Sequence, residues 1–213
     1  SSTSNTFFLT PDLLKYHPWM ISLNMANHLN QENFTTFTTV RLVKRNCLPS
    51  LIITFFFDRF HYYTKDILSV YSFCLLDNHF HFLVKIHNVS NNIIVAEQLR
   101  KFFISYSKSY NKFHHRRGTL FNKHLKRVKI NDEQQLCWTI YYIHRNPLHH
   151  GLTQYFKNYR WSSYRVIVSD KPTKLARNEV LDIFYGLNEF TEFHERNIRS
   201  DILSKKIHLL ETK

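Results

Sequence analysis

The clearest alternation of apolar and polar positions lies in the middle of the chain. Ile67-Leu-Ser-Val-Tyr-Ser-Phe-Cys-Leu75 has the β-branched and aromatic composition of a strand, Asp77-Asn78 supplies turn chemistry, and Phe80-His-Phe-Leu-Val-Lys-Ile86 resumes as a second strand. The pair predicts a β-hairpin at the centre of a sheet. Upstream, Pro49 can open a helix over 50–63 with apolar residues on most faces. Earlier still, Trp19–Leu23 reads as an opening strand, and Asn24–Arg45, rich in Thr and Asn, reads as strand or loop rather than helix. Downstream, Asn91 or Asn92 can cap a long helix over about 93–115 that Gly118 breaks, and Leu120–Ile130 follows as a strand. Asn131 or Asp132 caps the next helix, with acidic Asp132 and Glu133 at its positive end, and that helix is expected to end near Asn146-Pro147. A loop carries Trp161-Ser-Ser-Tyr164, and 178–197 reads as a helix interrupted near Gly186. Hairpins and helices without regular βαβ alternation predict an α+β fold, an antiparallel sheet flanked by helices. The expected division is a main domain over 1–170, with its core at 65–165, and a helical C-terminal extension over 171–213.

Composition narrows the functional classes. Hydrophobic residues make up 43% of the 213, enough to build a core, while only 3 glycines argue against a glycine-rich phosphate loop, and neither GxGxxG nor a Walker A pattern is present. No nucleotide cofactor is therefore expected. Lys and Arg number 29 against 16 Asp and Glu, a net charge of +13, which favours a polyanion partner because each cation that neutralises a phosphate releases a counterion. Cys47, Cys74 and Cys137 lack zinc-ribbon spacing and read as small buried hydrophobes in a reducing compartment. No apolar run is long enough to span a bilayer and Ser1–Asn5 lacks signal-peptide character, so a soluble intracellular protein with no membrane partner is expected.

Two constellations carry candidate chemistry. In His79-Phe80-His81 the two imidazoles sit at i and i+2, on one face of a strand, where they can converge on one cation while Phe80 packs behind. In Tyr142-Ile-His-Arg-Asn146-Pro147, Tyr142 and Asn146 are one helical turn apart on one face. A phenol there can attack a phosphodiester if a metal withdraws charge from the phosphate, with the Asn146 amide oxygen as a further ligand. Each constellation also has an ordinary reading: a packed histidine pair, and a core tyrosine followed by a helix stop. Basic residues Lys108, Lys112, Arg116, Arg117, Lys123, Lys126, Arg127 and Lys129 flank Gly118 and interleave with Tyr106, Tyr110, Phe113 and His114, a pattern suited to tracking phosphates and stacking bases, or to a solvated face.

Four blocks in order resemble a known family. Leu76-Asp-Asn-His-Phe-His-Phe-Leu-Val84 resembles the HUH motif of the REP-associated tyrosine transposases, relatives of the insertion-sequence single-tyrosine transposases. Arg117-Gly-Thr-Leu-Phe-Asn-Lys-His-Leu-Lys-Arg127, Tyr142-Ile-His-Arg-Asn-Pro-Leu-His-His-Gly151 and Trp161-Ser-Ser-Tyr164 continue the resemblance over about 70–165. Leu76-Asp77 stands where the family usually has Met-Pro, and the first 60 residues match poorly. The resemblance implies a HUH, ferredoxin-like fold with the histidines on a central strand. It implies His79, His81 and Asn146 as ligands of Mg²⁺ or Mn²⁺ and Tyr142 as the nucleophile. It also implies cleavage of single-stranded DNA beside hairpins through a 5′-phosphotyrosine, in a bacterial cytoplasm at the nucleoid, by a monomer or homodimer. Arg116, Arg117, Lys123, Lys126, Arg127 and Lys129 are the expected DNA contacts. Tyr106, Tyr110 and Tyr141 are rival tyrosines; Tyr141 points roughly 100° from Tyr142 on a helix, so only one of the two can face a metal. The alternatives are a cleavage-inactive hairpin-binding protein of the same family, a relaxase, which the short length and the Tyr-Ile-His-x-Asn-Pro block disfavour, and a structural zinc protein, which the absence of a Cys/His tetrad with finger-like spacing disfavours.

Overall fold

The structure, a computed structural model, describes residues 33–39, 50–87, 92–121 and 125–196. The expected strand at Trp19–Leu23, Lys123 and Cys47 lie outside them. Four strands, β1 (Asn33–Thr39), β2 (Leu68–Leu75), β3 (Phe80–Ile86) and β4 (Leu125–Lys129), form one antiparallel sheet in the order β2-β3-β1-β4. Helices α1 (Ser50–Thr64) and α2 (Asn92–Phe113) make the crossovers, which gives the ferredoxin-like βαββαβ succession. The α+β expectation holds. The Thr-rich stretch is an interior strand, paired through Thr36↔Leu83 on one side and Thr36↔Val128 on the other.

The hairpin is not central as a unit. β3 is interior, but β2 is a sheet edge, and two later segments hydrogen-bond to it: Leu75 N–H donates to Trp161 O (2.9 Å), Ser163 N–H to Phe73 O (2.9 Å) and Ala176 N–H to Val70 O (3.0 Å). Such pairing covers an edge that would otherwise template association. A bulge at Tyr71, between Val70 and Ser72, shifts the β2 register by one residue, so that Tyr71 and Cys74 share a face while Phe73 and Leu75 take the other.

Alternation on β2 and β3 divides the molecule into layers. Phe73, Leu75, Phe80, Phe82, Val84 and Ile86 point to α1 and α2 and form a core with Phe56, Phe60, Leu99, Phe102 and Tyr106. His81 and Leu83 point to the other face, where α3 (Glu133–His149) packs across β2 and β3. That helix starts where expected. The Asp132 side chain accepts from Gln135 N–H (2.7 Å), and the Gln135 Oε1 accepts from the N–H of Asn131, the residue before the cap (2.8 Å), which sets the helical register ten residues ahead of Tyr142. Its end differs from the expectation. Pro147 lies inside the last turn and the helix runs on to His149, with His150 N–H donating to Asn146 O (3.0 Å). Proline so near a C-terminus forfeits only one backbone bond, and its fixed φ is helical, so the turn survives.

The segment after α3 folds back on it. Helices α4 (Tyr164–Ile167), α5 (Arg177–Ile183) and α6 (Leu187–Glu195) follow, and Gly186 (φ 122°) after Tyr185 (φ 61°) makes the break between the last two. Phe193 packs on Trp138 (4.7 Å between centroids), and Phe190 stacks on Tyr164 (5.7 Å). No helix among the described residues is long and apolar enough to cross a membrane.

Candidate active site

The site is assembled by a strand and a helix on the same sheet face. The first residue of the motif, His79, lies just before β3 and is partly buried; His81 is 2% exposed. Their rings are 5.0 Å apart at 81°. His79 Nδ1 is 2.7 Å from Asn78 Oδ1. A carboxamide oxygen only accepts, so Nδ1 carries a proton, and in the neutral ring the lone pair lies on Nε2, the tautomer a metal ligand needs. Burial first, then His79 and His150, hold His81 well below the usual imidazole range, so His81 is neutral. Cys74, opposite His81 on β2, is buried and its thiol is pushed up by desolvation.

From above, α3 presents a stripe at four-residue spacing. Tyr142, 6% exposed, sets its ring edge-on to His81 at 5.6 Å between centroids. His150, two turns further on, sets its ring 4.9 Å from His79. Asn146 lies midway on the same stripe, between two residues that each touch one of the histidines. It is 0% exposed, and neither its Oδ1 nor its Nδ2 has a hydrogen-bond partner among the described residues. A buried carboxamide in that state is rare in folded proteins and calls for an explanation. His149 stacks on Tyr142 at 6.1 Å. Among the described residues, no group of three or more His, Cys, Asp or Glu side chains is placed to hold a metal ion, so a cation bound here would depend on the carboxamide beside the two imidazoles. Two imidazoles and an amide oxygen fit a divalent cation that completes its shell with oxygen ligands.

The neighbouring motif residues have other work. Tyr141 turns to α6: its hydroxyl donates to Arg196 O, and its ring meets Trp138, Phe193 and His194. Tyr106 and Tyr110 belong to α2, across the sheet from the histidines. Of the four tyrosines considered, Tyr142 alone reaches the pair. His144 is fully buried in a directed chain of hydrogen bonds. His194 Nδ1–H donates to Phe190 O (2.7 Å), so His194 Nε2 accepts from His144 Nδ1–H (2.9 Å), and His144 Nε2 accepts from Ser163 Oγ (2.8 Å). Ser163 Oγ in turn accepts from Phe73 N–H (2.9 Å). Arg145 donates to His194 O (3.0 Å) and lies over the Phe156 ring at 4.9 Å. The motif thus alternates between residues that face the histidine pair and residues that clamp α3 to α6 and β2.

The expected DNA contacts are dispersed. Lys126 pairs with Thr38, which pairs with His81, so Lys126 shares the histidine face two strands away, about 10 Å in lateral spacing. Arg127 alternates to the opposite face, with Lys129. Arg117 is exposed; Arg116 is half-buried, its guanidinium 5.8 Å from the Tyr110 ring and its Nη2 donating to Thr119 O (3.2 Å). His149 and His150 escape the sequence reading because Pro147 is taken there as the helix stop. The signal that finds them is the continuation of the Tyr142–Asn146 spacing to position 150.

A ferredoxin-like sheet that sets a His-x-His strand under a helix-borne tyrosine is the arrangement the sequence blocks imply for a single-tyrosine transposase. The solved structure of a REP-associated tyrosine transposase bound to a REP hairpin matches this chain with a TM-score of 0.53 at 16% identity, covering 68% of this chain and 85% of that one. The likeness is one of fold. No family profile and no curated protein matches the sequence.

Proposed function

We propose that this chain is a metal-dependent, single-strand DNA endonuclease and strand transferase of the REP-associated tyrosine transposase family, acting beside hairpins. One observation supports the reading most: α3 aligns Tyr142, Asn146 and His150 over His79 and His81, with the Asn146 carboxamide buried and without a hydrogen-bond partner among the described residues. In this reading His79 Nε2, the His81 imidazole and Asn146 Oδ1 hold Mg²⁺ or Mn²⁺. The cation supplies Lewis-acid polarisation of a phosphoryl oxygen. Tyr142 Oη forms the new O–P bond as the P–O3′ bond breaks, the phenolic proton goes to solvent and the departing 3′-oxygen takes one up. The 5′-phosphotyrosine remains a phosphodiester, so a 3′-hydroxyl can reverse the step and rejoin strands without another energy source.

The test is a labelled hairpin-flanked oligonucleotide incubated with protein and Mn²⁺, followed by denaturing electrophoresis. A covalent adduct is expected with the wild-type chain and none with Tyr142→Phe, whose DNA affinity should stay within about threefold because the ring is retained. An adduct that persists in Tyr142→Phe moves the nucleophile elsewhere. Binding without any adduct from the wild-type chain identifies a cleavage-inactive hairpin-binding protein instead.

A further inference from the structure

We propose that the groove between α1 and α2 is a pocket for one unpaired nucleobase of the bound strand; this rests on the single-strand DNA reading above and adds a second contact point to it. The groove has a volume of about 440 Å³, within the range of small-ligand sites. Its walls are Phe55, Tyr110 and Phe113, with Asp58 and Ser109 between them and Tyr106 beneath. Two features select a base over other occupants. The walls are aromatic and open to solvent, Phe113 being 56% exposed, and a base stacks on such faces whatever its identity. The Asp58 carboxylate can accept from a ring N–H or an exocyclic amino group, whereas a free anion would be repelled by it.

The surroundings supply the rest of a nucleotide. Arg116 lies against Tyr110 at the rim, 5.8 Å from the ring centroid, where a guanidinium can meet the phosphate next to a stacked base. Position also fits. Phe80, between the two site histidines, points through the sheet to Phe56 (5.4 Å) and Phe121 (6.5 Å), and Tyr106 packs on the same two rings at 5.0 and 6.0 Å. Groove and histidine pair therefore lie back to back at one end of the sheet. A strand whose phosphate sits at the histidines reaches the groove by turning round that end, past Arg116 and Arg117.

The experiment measures affinity by fluorescence anisotropy, with full-length protein in EDTA so that no chemistry intervenes. The probes are a labelled DNA hairpin carrying a ten-nucleotide mixed-base tail and the same hairpin with an abasic tail. The wild-type chain should prefer the base-bearing tail roughly ten-fold. Ser109→Trp, which fills the groove, and Phe113→Ala, which removes an exposed wall, should reduce that preference to less than about threefold and leave affinity for the abasic tail unchanged. Asp58→Asn keeps the side-chain shape and should change how all-dA, all-dC, all-dG and all-dT tails rank. Thermal unfolding checks that each variant is folded. A wild-type chain that binds both tails equally, or a preference that survives in Ser109→Trp and Phe113→Ala, overturns the groove and leaves the transposase reading intact. A wild-type chain that binds neither tail overturns both.

Discussion

In the proposed reading, Asn146 trades stability for chemistry. Its carboxamide is fully buried with both polar ends unsatisfied among the described residues, a state that costs about 1–3 kcal/mol. Replacing it by an apolar residue of similar volume removes that cost. Asn146→Leu should therefore raise the metal-free unfolding free energy by about 1 kcal/mol, read by urea titration, and abolish the covalent adduct. A destabilised Asn146→Leu would mean that the amide has a structural partner and would remove it from the proposed ligand set. Asn78 makes a complementary case. Its hydrogen bond sets the His79 tautomer, so Asn78→Ala should weaken Mn²⁺ binding by about 10–100-fold in a calorimetric titration, without loss of either histidine.

At the scale of elements, α3 has two working faces. One stripe carries Tyr142, Asn146 and His150 and meets the histidine pair through Tyr142 and His150; the other meets β2, α4 and α6 through His144 and its partners. The second face anchors the first, because His144 and Ser163 tie the helix to the backbone of Phe73. Both histidines of this clamp are held below their ordinary value by desolvation, His194 to about 3. An imidazole whose folded-state pKa lies below its unfolded value of 6.5 binds its proton more readily in the unfolded chain. Their neutral clamp is fully stable above pH 6.5 and loses stability as the pH falls from there towards 3. The unfolding free energy read by urea titration should drop across that window, by up to about 1.4 kcal/mol per pH unit for each histidine. His194→Gln should flatten the slope, and an unchanged pH profile in that variant would show that other groups control acid unfolding.

At the scale of the whole molecule the chain carries a net charge of +13, and among the described residues the cations of β4 are divided between the two faces of the sheet. β4 is an edge strand, and its alternating Lys126, Arg127 and Lys129 point to both faces of the sheet, a charge pattern that also discourages edge-to-edge pairing. Only Lys126 of the three shares the histidine face. The affinity for single-stranded DNA should fall with salt, and Lys126→Ala should reduce the slope of log K against log salt by about 0.7, the contribution of one phosphate contact. A slope unchanged by that substitution would place the strand off this part of the sheet.

Much of this architecture is encoded locally. The strands at Leu68–Leu75 and Phe80–Ile86, the long helix ending before Gly118, the Asp132 cap and the break at Gly186 follow from β-branched runs, turn residues and capping chemistry that act over a few positions. His79 and His81 share a face by the pleat, and Tyr142 and Asn146 share one by the helical turn, before any tertiary contact is considered. Long-range packing decided what local preference left open. The Thr-rich 33–39 segment becomes an interior strand because β3 and β4 satisfy its backbone on both sides, a requirement invisible in its own composition. Helical spacing separates Tyr141 from Tyr142 but assigns neither; the aromatic surface of α6 takes Tyr141 and leaves Tyr142 over the histidines. Pro147 reads as a stop, yet the turn continues and brings His150 to His79, because the fold tolerates one missing backbone bond near a helix end. Side-chain type and spacing set which groups could meet; the packing of α3 between β3 and α6 determined which of them do.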